Sequence, residues 1–122
     1  MAQKQKTYTL NDKAFSFAKQ LIKNGDVIAD QRDDWSEHAP SADDENDFIN
    51  KHGWAEYAKW HLGIDEGENE ETKARYRFPY GDFNKVHRCG VISAEGRAAQ
   101  YGHQEIKRAA AKLLELIDAS KT

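Results

Sequence analysis

The chain has 122 residues, the length of one ordinary domain. Leu, Ile, Val and Phe supply only 21 of them, a scarcity that marks disorder when net charge is high, but here the net charge is −3 and three Trp and five Tyr add rings able to fill a core. No apolar run approaches the ~18 residues of a membrane span, and no collagen-like or sustained heptad pattern is present, so the composition points to one small folded domain, residues 1–122, with a thin aliphatic core thickened by aromatics.

In chain order, Thr7 to Leu10 alternates as a strand does. Asn11 is placed to cap a helix, with Leu10 and Phe15 as a hydrophobic staple. Ala14, Phe17, Ala18, Leu21 and Ile22 fall on one helical stripe, and Gly25 stops it. Val27 to Ala29 reads as a short strand, and Arg32 to Ala42 as a polar loop anchored by Trp35. Ser41 caps a helix starting at Ala42, with Asp44 at its third position and a cluster of carboxylates where the helix dipole favours them. After Gly53, Trp54, Tyr57, Ala58, His61 and Leu62 share one face of a second helix that Gly63 ends. Residues 65–71 form an acidic loop; order is expected over about 7–118, with mobile loops near 31–42 and 65–71.

Ala74 to Phe78 alternates, with Tyr76 and Phe78 on one side and Arg75 and Arg77 on the other, and is expected to pair with the Thr7 strand. Pro79-Tyr80-Gly81 is a turn, and Asp82 is placed to cap a long helix from Phe83 to about Tyr101. That helix is apolar on two sides, hence central; Gly90 and Ala94 would let another backbone approach, and Gly90 and Gly96, each costing about 1 kcal/mol, call for a packing reason. Beyond Gly102, Ile106, Ala109, Ala110, Leu113, Leu114 and Ile117 form the stripe of a last helix, and the short linker makes the last two helices an antiparallel hairpin. The expected fold is mostly α: four to five helices with this C-terminal antiparallel helical hairpin and a minor two- or three-stranded β element. Phe17, Leu21, Trp54, Tyr57, Leu62, Phe83, Val86, Ile92, Ile106, Leu113 and Ile117 are expected inside.

The small net charge is a sum of opposed blocks. Residues 1–25 carry +4, residues 26–71 carry −12 and residues 72–122 carry +5. Either the segments neutralise each other across the fold, or they present acidic and basic surfaces that recruit a charged partner.

The five histidines include no i, i+4 pair, and there is no C-x-x-C, so no metal site and no cofactor are expected. His61 and His87 read as histidines on apolar helix faces. Cys89 follows His87 by two residues, so on a helix their side chains diverge by about 200° and form no dyad. No nucleophile elbow, phosphate loop or dinucleotide fingerprint is present. A helix-turn-helix match fits at Ala98 and Gly102 and fails at His103 and Arg108. Lys73, Arg75, Arg77, Lys85 and Arg88 interleave with Tyr76, Phe78, Tyr80 and Phe83, a pattern in which cations meet phosphates and rings stack on bases. Arg97, at the edge of an apolar helix face, needs a carboxylate or an anionic ligand. The candidate ligand or anion contacts are therefore Arg75, Arg77, Lys85, His87, Arg88 and Arg97.

YRFPYGDFNKVHRCGVISAEGRAAQYGHQEI, with RDDWSEHAPSADDENDFI and GWAEYAKWHLGID before it, resembles a family of small bacterial proteins with no assigned activity, over about Tyr8 to Asp118. That resemblance brings no catalytic residue. Lys73 to Gln100 is also faintly similar to segments found beside phage head-maturation proteases. The N-terminal ten residues lack the apolar stretch of a secretory signal, and one cysteine forms no internal disulfide, so a cytoplasmic protein is expected. The leading functional expectation is a small non-catalytic binding or adaptor protein, with an unidentified protein partner and no membrane association. The alternative is a nucleic-acid-binding protein using residues 73–88. A third is an enzyme whose site assembles from His61, His87 and Arg97.

Overall fold

The structure is a computed structural model that describes residues 8–29 and 35–119, apart from the side chains of Ser36 and His38. Strand β1 (Tyr8–Leu10) enters helix α1 (Asp12–Lys23) through Asn11, whose Oδ1 accepts the Ala14 N–H at 3.4 Å as a helix cap should. Asn11 is buried and does more than cap. Its amide donates to the carbonyls of Ala58 and His61 at 2.9 and 3.1 Å, and its backbone N–H donates to Leu62 at 2.8 Å. The cap therefore ties the start of α1 to a segment about fifty residues away. Helix α1 buries the narrow strip Ala14, Ala18 and Ile22, flanked by half-buried Phe17 and Leu21. The two-residue strand β2 (Val27–Ile28) pairs in parallel with β5 (Val86–His87).

Part of the expected 32–42 loop is a single helical turn, α2 (Trp35–His38); residues 30–34 lie outside the described residues. Helix α3 (Ala42–His52) begins with the full reciprocal box: the Asp44 N–H donates to Ser41 Oγ and the Ser41 N–H to the Asp44 carboxylate.

Helix α4 (Trp54–Ala58) is shorter than its apolar spacing predicts. The chain leaves the helix at Lys59 and continues as β3 (His61–Asp65), the central strand of a three-stranded antiparallel sheet ordered β1-β3-β4. Thus β1 and β4 (Tyr76–Pro79) do not pair with each other as expected; each pairs with one edge of β3. A strand covered on both faces needs apolar residues without alternation, and His61 to Gly63 is buried throughout, which is why the segment mimics a helix face in sequence. Gly63 does not end a helix. It is the point where Phe78 and Ile106 close over the sheet: a Cβ there would lie 2.6 Å from the Phe78 ring and 3.1 Å from Ile106 Cδ1.

The expected helix start at Phe83 is also corrected: α5 spans Arg88–Gln100. The Asp82 side chain accepts the N–H groups of Asn84 and Lys85 at 3.0 and 2.7 Å, folding 82–85 into a turn instead of capping a helix. The turn takes Phe83 to a φ of +69° and stacks its ring on Phe48 at 4.4 Å. Gly81 lies inside this turn, where a Cβ would meet the Lys85 carbonyl and the Trp60 ring at 2.6 Å each. We expect Gly81→Ala to cost about 1–3 kcal/mol. A urea melt reads this directly; a change under about 0.5 kcal/mol would mean that the turn gives way freely.

Helices α5 and α6 (Gln104–Ala119) form the expected hairpin. Between them His103 N–H reaches the Ala98 carbonyl at 2.8 Å and Gly102 N–H the Ala99 carbonyl at 3.3 Å, with Gly102 at φ +77°. That is a Schellman stop, and it needs glycine. Gly90 has its packing reason, since a Cβ would sit 2.8 Å from the Tyr80 carbonyl; Gly96 has none, with nothing within 4 Å. The core joins Leu62, Val86, Val91, Ile106, Leu113 and Ile117 to Trp60 and Tyr80, while Tyr57 is also buried. Trp60 and Tyr80 were not expected there, and Phe17, Leu21, Trp54, Phe83 and Ile92, expected inside, are only partly buried. Among the described residues no helix is long and apolar enough to cross a membrane.

Candidate functional site

Several of the candidate cations are matched by acids. Lys73 Nζ lies 3.3 Å from Glu45, tying the basic segment to α3. Arg75 donates to the Glu68 carbonyl at 3.0 Å and faces the Glu66 carboxylate at 3.8 Å. Arg88 forks onto Asp118 of α6 at 2.9 and 3.4 Å. His87 Nε2 lies 2.7 Å from Asp82 Oδ2. Burial alone would raise the Asp82 carboxyl, but the bonds from His87, Lys85 and Asn84 outweigh it and hold the group below the usual carboxylate range. Lys73 with Glu45 and Arg75 with Glu66 therefore join the basic block to the acidic one, whereas Asp82 and Asp118 match His87 and Arg88 within the basic block itself.

The rings of the same segment are structural. Tyr80 is fully buried, and its hydroxyl donates to the Lys59 carbonyl at 2.6 Å. Phe78 is buried, half-buried Phe83 stacks on Phe48, and the Tyr76 hydroxyl holds the acidic loop through the Glu70 carbonyl at 2.7 Å. Lys85 lies in the 82–85 turn.

Arg77 and Arg97 are different. Among the described residues neither has a carboxylate within ion-pair distance, and both line one cavity of about 450 Å³. Its walls come from the sheet, α2, α5 and the α5–α6 turn. Ser93 and Arg97 on α5 and its C-cap residue Tyr101 follow one another at four-residue steps along one side of the helix. On β4, Arg77, Phe78 and Pro79 all line the cavity, although a regular strand sends neighbours to opposite faces. Phe78 breaks the alternation: its φ is +62°, a strained value for a bulky residue. The expected division, with arginines on one side and Phe78 on the other, is corrected by that kink.

The Arg77 guanidinium carbon lies 5.6 Å from the Tyr8 ring centroid, and its Nε is buried without a hydrogen-bond partner. A buried unpaired donor on a cation is costly. Tyr8 in turn packs on the His103 ring at 4.9 Å and edge-on to Phe78 at 5.8 Å. Among the described residues no Asp or Glu lines the cavity, and two guanidiniums do. Arg97 stands in the last turn of α5, where it also offsets the helix dipole.

The structure thus brings together two of the six candidate residues, Arg77 and Arg97. Sequence reasoning missed Tyr8, Trp35, Ser93, Tyr101 and His103 as their companions. The four-residue steps on α5 were the legible signal; the Phe78 kink left none. His61 is a buried strand residue and is not among the cavity residues. Its Nδ1 donates to the Tyr57 carbonyl at 2.9 Å. His87 ends β5 rather than sitting on a helix face. Among the described residues no group of three or more His, Cys, Asp or Glu side chains is placed to hold a metal ion.

Comparison of the chain with protein-family models, with curated proteins and with solved structures found no match.

Proposed function

We propose that the protein is a small non-catalytic binding protein whose cavity takes an anionic ligand between Arg77 and Arg97. The observation that carries this reading is a concave, partly aromatic site with two guanidiniums and, among the described residues, no lining carboxylate. Its volume falls within the range of about 300–1,000 Å³ typical of small-molecule sites. The arginine fork matches carboxylate and phosphate oxygens, and low-dielectric walls strengthen such contacts. A cytoplasmic location belongs to the same reading, supported by the single cysteine.

Isothermal titration with inorganic phosphate and with benzoate tests it. At least one of them is expected to bind, and Arg77→Gln or Arg97→Gln to weaken that binding about tenfold or more, the worth of a charged hydrogen bond. Binding that survives both substitutions together would place the anion elsewhere.

A nucleic-acid partner is the second reading. Arg77 and Arg97 suit phosphates, but buried Phe78 and Tyr80 offer bases no free face. Titration of single-stranded RNA and DNA at low and high salt decides it, because phosphate-driven binding weakens steeply with salt.

A further inference from the structure

We infer that the ligand of the Arg77–Arg97 cavity is a phosphate monoester carrying a flat aromatic group. This inference rests on the anion-binding reading above and specifies its ligand.

Charge comes first. Among the described residues the wall presents two guanidiniums and no acid, so a monoanion would leave one of these cations unmatched. A phosphate monoester carries about −1.5 to −2 at pH 7 and three acceptor oxygens. Those oxygens match two arginine forks and the Ser93 hydroxyl, which stands one helical turn from Arg97.

The second feature is the ring content around those cations. Tyr101, on the cavity wall at the end of α5, is 56% exposed, the larger exposure of the two exposed large hydrophobic side chains among the described residues. Trp35 contributes a second large ring from α2. The other rings in the wall, Tyr8, Phe78 and His103, are packed on one another. Tyr101 therefore offers a ring face to a planar group whose phosphate lies toward the arginines. A site for phosphate alone needs neither this surface nor a volume of about 450 Å³.

Nucleotides and simple aryl phosphates share this chemistry, and calorimetric titration of the full chain separates them. The probes are adenosine 5′-monophosphate, phenyl phosphate, inorganic phosphate, adenosine and benzoate. Adenosine 5′-monophosphate or phenyl phosphate is expected to bind at least tenfold more tightly than inorganic phosphate, adenosine and benzoate; whichever of the two binds better identifies the source. Tyr101→Ala, at an exposed position, should bring the affinity of the ring-bearing phosphate down toward that of inorganic phosphate, so that the ratio between the two shrinks. The Arg77→Gln, Arg97→Gln double variant should lose both, with thermal melts confirming that each variant is folded. Equal affinity for inorganic phosphate and both monoesters would overturn the ring requirement. Benzoate binding as tightly as the monoesters would overturn the dianion. In either case arginine-dependent binding leaves the broader anion-binding reading standing, whereas no heat change with any probe at millimolar concentration overturns both.

Discussion

Replacing Leu113 by alanine is expected to lower the free energy of unfolding by about 2–5 kcal/mol. Leu113 is fully buried at the middle of the α6 stripe, between Ile106 and Ile117. Helix α6 packs on α5, α1, β1 and β3, so a void at this position opens inside the shared core rather than at its rim. The surrounding helices meet through small residues: Ala94 and Ala98 on α5, Ala14 and Ala18 on α1, Ala110 on α6 itself. Alanines have no rotamer with which to fill a cavity, and helices already in close approach cannot collapse much further. The cost should therefore fall in the upper half of the range. Urea melts of Leu113→Ala beside the exposed Lys112→Ala, expected within about 0.5 kcal/mol of wild type, measure it. A Leu113→Ala loss under 1 kcal/mol would remove Leu113 from the core.

Local signals with a single physical solution were legible. Asn11, Ser41 with Asp44, and the α6 stripe all act where their sequence contexts place them, because a cap or an amphipathic period is settled by a few neighbouring residues. The failures share a different cause. Residues 54–62 carry an apolar spacing that fits a helix, yet the chain turns at Lys59 and supplies a strand buried on both faces. Tertiary contacts decide this: Asn11 takes the Ala58 and His61 carbonyls, and Phe78 closes over Gly63. Asp82 has the right residue type for a cap, but His87 and the Gly81–Val86 bridge hold it in a turn.

The site was legible in part for the same reason. Arg97 stood out because a cation beside an apolar helix face asks for a partner, and Arg77 because it belongs to a basic strand. They meet only in the fold, at one cavity that Phe78, at a φ of +62°, also lines. No local rule predicts a left-handed phenylalanine. Lys73 and Arg75 looked equivalent to Arg77 in sequence; only the fold shows that Glu45 and Glu66 lie beside them. Segregated charge along a chain thus becomes informative through its remainder, the cations that folding leaves unmatched.

Acid should destabilise the protein well above the carboxylate range, and His61 is the expected cause. Its ring is buried against Tyr57 and Tyr76, and burial pushes it down to about 4 although the Tyr57 carbonyl favours protonation. In the unfolded chain it titrates near ~6.5. Between those values the unfolded chain binds a proton that the folded chain refuses, so stability falls as pH drops from about 6.5 to about 4 and levels off below. The gap is worth about 3 kcal/mol. Asp82 acts in a separate window: it is held low, so its contribution is present above the ordinary carboxylate value of 3.8 and is lost only as pH falls further. His61→Gln keeps a donor for the Tyr57 carbonyl without a titrating ring. That variant should be less stable at pH 7.5, where wild-type His61 packs neutral, yet lose less stability between pH 6.5 and 4.5. Urea melts across that interval compare the two slopes. Parallel slopes would mean that the acid sensitivity arises from another group, whereas convergence of the two proteins toward pH 4.5 would assign it to the buried imidazole.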